Sequence, residues 1–550
     1  GTQYSHGVYV LGSYNSYDST HHVVQIKNCK ITSKAYACAY GVSAWAGINT
    51  TNGGCYSGDV EITDCKIYCE SLNTTSPSPV YVYATSTTIF QDGTTTTPAL
   101  YHGEYAVAGK ATINSGTFTS LSKTSSAYGA ATSTRAKTVY SDETTVAANR
   151  KLGGKAEAYP ILIIHGGTFK ATSTTTTARA VSSGGYTTID GGTFEAYATT
   201  TAAQGLYAVS GKLTATGVTV TASATGNAYG AMADCGIPAN NQAQTGFAYA
   251  GKLELNNCDI TATTRTATEA RGVFVNATNK LHTWAGFHTD STNYKWAAAT
   301  TAEYYRQMFP CTREGRDSVG IAIAAKATIN GGTIRATAAT TTAYGIYAAG
   351  SQDVMLDSIA IPELTVKNVT IISKTNGTTS AWGIYTQGET LVDGCDITVK
   401  PTTTTGYGIQ ALAANDAKVT VKDTKIDVTG TATVYGLHGH VDINATHGQD
   451  RHGNFVLEEG NDVTAETTGG NSAYGIYLNA TKRAITATTN SSYRPGDYAI
   501  AATAIVNGGK YTATASGTTA YAACVADPVL QGEATATPTL IINGGKFKGT

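Results

Sequence analysis

One two-part phrase recurs from end to end of this chain, and it limits the fold more than any other feature. Its first half is an alternating strand that closes on a polar residue and a glycine pair, as in Ile113-Asn114-Ser115-Gly116-Thr117-Phe118, Ile189-Asp190-Gly191-Gly192-Thr193-Phe194, Ile329-Asn330-Gly331-Gly332-Thr333-Ile334 and Val506-Asn507-Gly508-Gly509-Lys510-Tyr511. Weaker copies stand at Ile26, Ile62, Leu253, Val366, Val392, Val421 and Val456, for about fourteen in all. The second half is Ala343-Tyr344-Gly345-Ile346-Tyr347-Ala348, with variants that start at Ala39, Ala127, Ala203, Ala228, Ala270, Ala381, Val434, Ala473 and Ala520. Closely spaced copies at Ile164 and Ile189 set a minimum period of roughly 25 residues, a solenoid-unit length.

Period-two alternation, β-branched residues and glycine-punctuated corners call for strands, and no stretch reads as a useful helix. A unit this short cannot bury its apolar side alone, so units must stack, each pairing its backbone with the coils above and below. The expected fold is all-β: a parallel β-solenoid of about fourteen coils with three short strands per coil, running as one continuous domain over residues 1–550. At about 4.8 Å per coil, fourteen coils predict a rod roughly 65 Å long.

Side-chain columns follow from the register. Phe118, Phe169, Phe194, Ile334, Ile397, Tyr511 and Phe547 fall at equivalent positions and predict an inward ladder. The Ile346 position stays apolar in Val8, Val42, Val181, Leu206, Val273, Ile384, Ile409, Leu437 and Ile476, which marks it as core. The Tyr344 position accepts His6, Arg179, Gln204 and Arg271, and a column that takes Arg and His is expected to face water. Gly345 between the two is expected to reset the alternation as a bulge or corner. The Asn, Asp or His after each strand's last Ile is expected to adopt left-handed backbone angles. Threonine runs, such as 174–177 and 402–405, occupy a short corner of nearly constant length.

Charged residues make up 14% of the chain and its net charge is −1. With no basic stripe, nucleic acid and anionic membrane are not expected partners. No apolar run reaches the length of a membrane span. Among the ten cysteines, Cys29, Cys65, Cys258 and Cys395 share one place in the repeat. Stacking would bring Cys29 and Cys65 to a separation that a disulfide can bridge, while a ladder of buried thiols is the alternative. The even count fits an oxidising compartment. Glycosylation sequons occur at Asn49, Asn73, Asn276, Asn376, Asn444, Asn479 and Asn490, and a further one, Asn368, is expected inside a strand. The threonine corners are further acceptors for O-linked sugar.

Insertions near 84–107, 132–160, 276–320, 438–454 and 479–503 all fall between the Tyr-Gly-Ile strand and the next Gly-Gly strand, so loops should project from one edge, where binding concentrates on rigid scaffolds. The longest carries Trp284 and Trp296. Together with the stripe of Tyr344, Trp382, Tyr407, Tyr435 and Tyr474 it is the candidate aromatic surface for glycans. His438, His440, His447 and His452, four of the eleven histidines, crowd one insertion and are candidate metal ligands, although their spacing matches no zinc pattern.

These repeats resemble those of right-handed parallel β-helix proteins of the pectate-lyase-like class, and more closely the Gly-Gly-Thr-Phe repeats of bacterial adhesin-like surface proteins. The resemblance implies a right-handed coil. The polygalacturonate-cleaving members use clustered aspartates with Asn-Thr-Asp, Gly-His-Gly and Arg-Ile-Lys motifs, which this chain lacks; His438-Gly439-His440 has the wrong order. No enzyme activity, catalytic residue or cofactor is therefore expected. The chain ends on Ile542-Asn543-Gly544-Gly545-Lys546-Phe547 and begins near His6-Gly7-Val8, phrases that succeed one another in its interior. The leading expectation is an extracellular or cell-surface structural solenoid that stacks head to tail on its own copies as a filament or forms part of a long stalk. A carbohydrate-binding adhesin is the alternative, and a polysaccharide lyase or hydrolase the remote one.

Overall fold

The computed structural model describes residues 4–11, 13–14, 23–48, 55–73, 75–89, 103–137, 159–236, 249–266, 268–283, 318–353, 358–414, 417–440, 442–444, 449–485, 496–526 and 537–550. Every regular element among them is a strand, and no helix is long and apolar enough to cross a membrane. The strands form a parallel β-solenoid of about fourteen rungs.

The chain divides into two compact units: Gly1–Ala224 with Pro238–Phe247 and Gly251–Glu254, and Thr225–Ile237 with Ala248–Ala250 and Leu255–Thr550. In the first unit, side 1 of the coil carries six strands: Tyr4–Val10, Cys38–Trp45, Ser78–Ile89, Ala127–Lys137, Thr177–Ser183 and Ala202–Ala208. In the second it carries eight: Asn227–Ala233, Ala270–Val275, Ala343–Ala348, Ala381–Thr386, Gly406–Ala411, Val434–Gly439, Ala473–Leu478 and Ala520–Val525. Sides 2 and 3 follow each of these, for example Tyr186–Ile189 and Thr193–Ala198, or Glu389–Asp393 and Asp396–Pro401. Pairing is parallel and in register, so Phe118 faces Phe169 and Phe169 faces Phe194.

Alternation decides the core. Side 3 of Thr193–Ala198 alternates between half-buried and buried residues, and the inward column includes Phe118, Phe169, Phe194, Ile397 and Tyr511 at full burial. Phe118, Phe169 and Phe194 stack with centroids 4.5 and 5.1 Å apart at interplanar angles of 9° and 10°. The register differs from the sequence reading at two strands: the last inward residue of side 2 is Leu255 rather than Leu253, and Leu457 rather than Val456. Consecutive apolar residues, Phe455-Val456-Leu457, conceal the alternation there. Ala215 holds the same place in a rung whose small side chain hid it.

Side 1 breaks the period of two as expected. In Ala343–Ala348 both Gly345 and Ile346 are buried, and the cross-strand register passes over the glycine, linking Arg271 to Tyr344 and Val273 to Ile346. The reason for glycine is close approach rather than a turn: a Cβ on Gly345 would run into Ile371 Cγ2 of side 3 and the Gly383 carbonyl. One missing methyl therefore lets two sheets meet.

The corner between sides 2 and 3 corrects the expectation about its first polar residue. The left-handed residue is the second or third after the strand's last apolar one, never Asn114, His165, Asp190 or Asn507. In one type the second residue is left-handed, as at Asn28, Asp64, Asn257, Asn368 and Asp423, with φ between 46° and 55°. Asn368 is thus an exposed corner residue and not part of a strand. In most corners of this type the third residue then buries a side chain, as in Cys65, Cys258, Val369, Cys395 and Thr424, and the following inward residue is aliphatic, as in Ile67, Ile260, Ile371, Ile397 and Ile426. In the other type the third residue is glycine with φ of 101° to 140° (Gly116, Gly167, Gly192, Gly509, Gly545), and the inward residue is Phe118, Phe169, Phe194, Tyr511 or Phe547. At Gly116 and Gly167 a Cβ would come within 3.1 and 3.4 Å of Phe118 Cε2. Ring and corner side chain compete for one volume, so none of the corners named here holds both.

Candidate functional site

The outward face of side 1 carries the aromatic stripe that the sequence singles out. In the second unit Tyr344, Trp382, Tyr407, Tyr435, Tyr474 and Tyr521 stack in succession, with centroids 4.7, 5.1, 5.1, 5.0 and 5.2 Å apart and planes within 17° of parallel. In-register parallel pairing puts equivalent rings one rung apart, which is a stacking distance; each such pair contributes about 0.5–1.5 kcal/mol.

The stripe is half-buried rather than open to water. Tyr344, Trp382, Tyr407, Tyr435 and Tyr474 are each of intermediate exposure, because neighbouring rings cover both faces of Trp382, Tyr407, Tyr435 and Tyr474. Burial raises the phenol pKa of Tyr407 to about 12 and that of Tyr344 and Tyr435 further still. The surface therefore offers ring edges and phenol hydroxyls. Sugar binding through CH–π contact needs an open ring face, and this ladder leaves none between Trp382 and Tyr474.

A second column, three residues on, was written in the consensus but escaped the sequence reading. Phe274, Tyr347 and Tyr385 stack at 5.4 and 4.9 Å, and His438 and Tyr477 continue the column beside Tyr435. Arg271 enters the first column as a flat cation: its guanidinium lies 4.3 Å from the ring centroids of Phe274 and Tyr347, and it pairs with Glu269. Arg179 does the same in the first unit, 4.3 Å over Tyr207, with Nη1 donating to the Tyr128 hydroxyl at 3.0 Å. This explains why the column tolerates Arg: guanidinium planes stack as rings do.

His438 is a buried polar group of this face. It is buried between the rings of Tyr407, Tyr435 and Tyr477, and its Nε2 has no hydrogen-bond partner. Burial, reinforced by His440 with its ring 5.3 Å away, holds its pKa well below the ordinary imidazole value. His440 itself contacts the Asn479 amide at 3.1 Å. His447 lies outside the described residues, and His452 is placed as a strand residue opposite Ala413. Among the described residues no three His, Cys, Asp or Glu side chains gather as a metal set.

The insertions leave side 1 at one corner, as expected, and the structure adds that several begin as antiparallel hairpins. Ala277–Thr283 pairs with Ser318–Ala324, Ala480–Ile485 with Gly496–Ala501, and Ser351–Asp353 with Ser358–Ala360. Trp284 and Trp296 lie outside the described residues, as do Asn49 and Asn490. Of the other sequons, Asn376 is exposed, Asn73 is half-buried, Asn444 ends a short strand, and Asn276 and Asn479 have amides engaged with Asp234 and His440.

No family model, no curated protein and no solved structure matches this chain.

Further residues of the repeat take packing places in the structure. Cys29 and Cys65 occupy equivalent corners of adjacent rungs, and both are free thiols; Cys65 is buried and Cys29 is exposed. Their column is a plug for the corner, and burial raises the pKa of its Cys395 thiol. Asp190 pairs with His165 at 2.8 Å on the surface, and Asp423 is a left-handed corner residue. The threonine corners staple successive rungs: Thr201, Thr402, Thr403 and Thr431 donate through Oγ1 to the carbonyls of Thr175, Thr375, Gly377 and Thr402 at 2.8, 2.9, 2.8 and 2.6 Å.

Proposed function

We propose that the protein is a structural segment of an extended extracellular β-solenoid, a filament or surface stalk, whose rungs continue beyond both end rungs seen here. One observation carries this reading. Of the exposed large hydrophobic residues among those described, all but Leu72 and Tyr186 lie on the first or the last rung. Inward columns that are sealed inside open at these two places: Val24 is 41% and Ile542 51% exposed, against 2% for Val60 and 0% for Val506, their neighbours in the same columns.

Backbone edges tell the same story. Among the described residues, Tyr4–Val10 pairs only with Cys38–Trp45, and Lys546–Gly549 only with Lys510–Ala515. Parallel edges with open apolar interiors recruit further strands, and the repetition of one rung supplies the matching surface. Interior rungs bind one another by ring stacking and threonine staples, which suits a role in bearing length. Electron microscopy and sedimentation of the purified chain test this: particles that lengthen with concentration are expected, and single-chain particles at all micromolar concentrations overturn it.

A further inference from the structure

We infer that the N-terminal rung is the docking surface for the C-terminal rung of a second copy, in one register fixed by the side-chain columns. This rests on the solenoid-array reading above and specifies the contact. On side 1 the equivalences of the paired strands place Tyr521 against His6, Ala523 against Val8 and Cys524 against Tyr9 of the second copy. On side 2 they place Leu540 against Val24 and Ile542 against Ile26. On side 3 they place Phe547 against Ile31.

Each match continues an interior column with the same chemistry. Tyr521 already stacks on Tyr474 at 5.2 Å, and the His6 ring lies 5.1 Å from that of Tyr40 at a tilt of 33°, so the open faces of Tyr521 and His6 would meet as the next pair of one column. The receiving face is a shallow cleft of about 460 Å³ lined by Tyr4, His6, Tyr9, Tyr40 and Trp45, with the Trp45 indole N–H buried and unpartnered. Tyr4 and Tyr9 are exposed there although Tyr81, a column-mate of Tyr9, is not. Lys546 would stand opposite Lys30, a like-charge neighbour of the kind already present between Lys30 and Lys66, and Lys510 and Lys546. Salt should therefore speed the assembly.

The contact also explains Cys29. Its column-mates Cys65, Cys258 and Cys395 are buried, and Cys29 alone of the four is exposed, on the first of the described rungs. A docked copy would bury it.

The test uses the full chain with Tyr9→Cys, which sets a thiol opposite Cys524 of the next copy at a Cα separation that a disulfide spans. Mild oxidation is expected to give a ladder of covalent oligomers with the 9–524 linkage found by mass spectrometry, and none with Val10→Cys, one residue out of register. In the wild-type chain, maleimide labelling of Cys29 is expected to fall at least tenfold between nanomolar and micromolar protein. Filaments in the microscope with no 9–524 linkage and an unprotected Cys29 would overturn this register while leaving the array reading intact. Absence of any oligomer, with Cys29 equally reactive at all concentrations, would overturn both.

Discussion

Replacing Phe169 by alanine tests the stacked core most directly. The ring is fully buried, with Phe118 on one face at 4.5 Å and Phe194 on the other at 5.1 Å, and its backbone is fixed by ladders on both sides. Deleting a buried Phe costs about 3–5 kcal/mol, most where the surroundings cannot collapse. Here the neighbouring rings are held by their own strands, so a value near the upper end is expected. Phe169→Leu, which keeps most of the volume, should cost about 1.5 kcal/mol or less. Coupling between Phe118→Leu and Phe169→Leu should be about 0.5–1.5 kcal/mol. Native-state hydrogen exchange is the suitable assay, since it reads local opening in a protein whose rungs need not unfold together. Amides of Thr168–Ser173 and of the flanking strands Gly116–Ser122 and Thr193–Ala198 should lose roughly three orders of magnitude of protection in Phe169→Ala, at about 1.4 kcal/mol per tenfold. The rung at Cys38–Trp45 should change little. A loss below tenfold, or an equal loss across all rungs of the unit, would refute a nearest-neighbour stack.

Other perturbations separate the remaining devices. Because the folded pKa of His438 is depressed, its neutral form stabilises the fold above the ordinary imidazole pKa, and this stability is lost as pH falls below about 6.5 at up to about 1.4 kcal/mol per unit; acid titration of the second unit by circular dichroism should show the slope, and His438→Gln should remove it. Gly345→Ala should destabilise by more than about 2 kcal/mol, because the added methyl meets Ile371 and a backbone carbonyl; an unchanged melting profile would contradict the close approach of sides 1 and 3. Thr403→Val, which loses the bond to the Gly377 carbonyl, should cost about 0.5–1.5 kcal/mol, with Thr403→Ser closer to wild type in urea titration. Since the faces of Tyr407 are covered, Tyr407→Ala should lower stability without altering retention on polysaccharide columns that act through ring stacking.

Much of the fold was legible because a solenoid repeats its local rules. Alternation named the strands, the Ile346 column named the core of side 1, and the position of the insertions named the edge from which hairpins leave. Slips occurred where a rung lacked contrast: Phe455-Val456-Leu457 shows no alternation, and Ala215 is too small to register as a core residue.

The candidate site was legible only in outline. Sequence showed that Tyr344, Trp382, Tyr407, Tyr435 and Tyr474 form one column facing outward, but burial of a ring depends on what lies one rung above and below it. Those neighbours are separated along the chain by 25 to 39 residues and become adjacent only through the register. The same holds for Gly345, whose missing Cβ answers a methyl on side 3, and for Cys29, which is exposed on the first of the described rungs where Cys65 is buried. The sequence alone determined the outline of the rung, its strands and most of its inward columns, set by a period of two within a few residues, while the structure decided which corner residue turns left-handed. Only the tertiary structure decided which surfaces stay open, because exposure belongs to the stack and not to the rung.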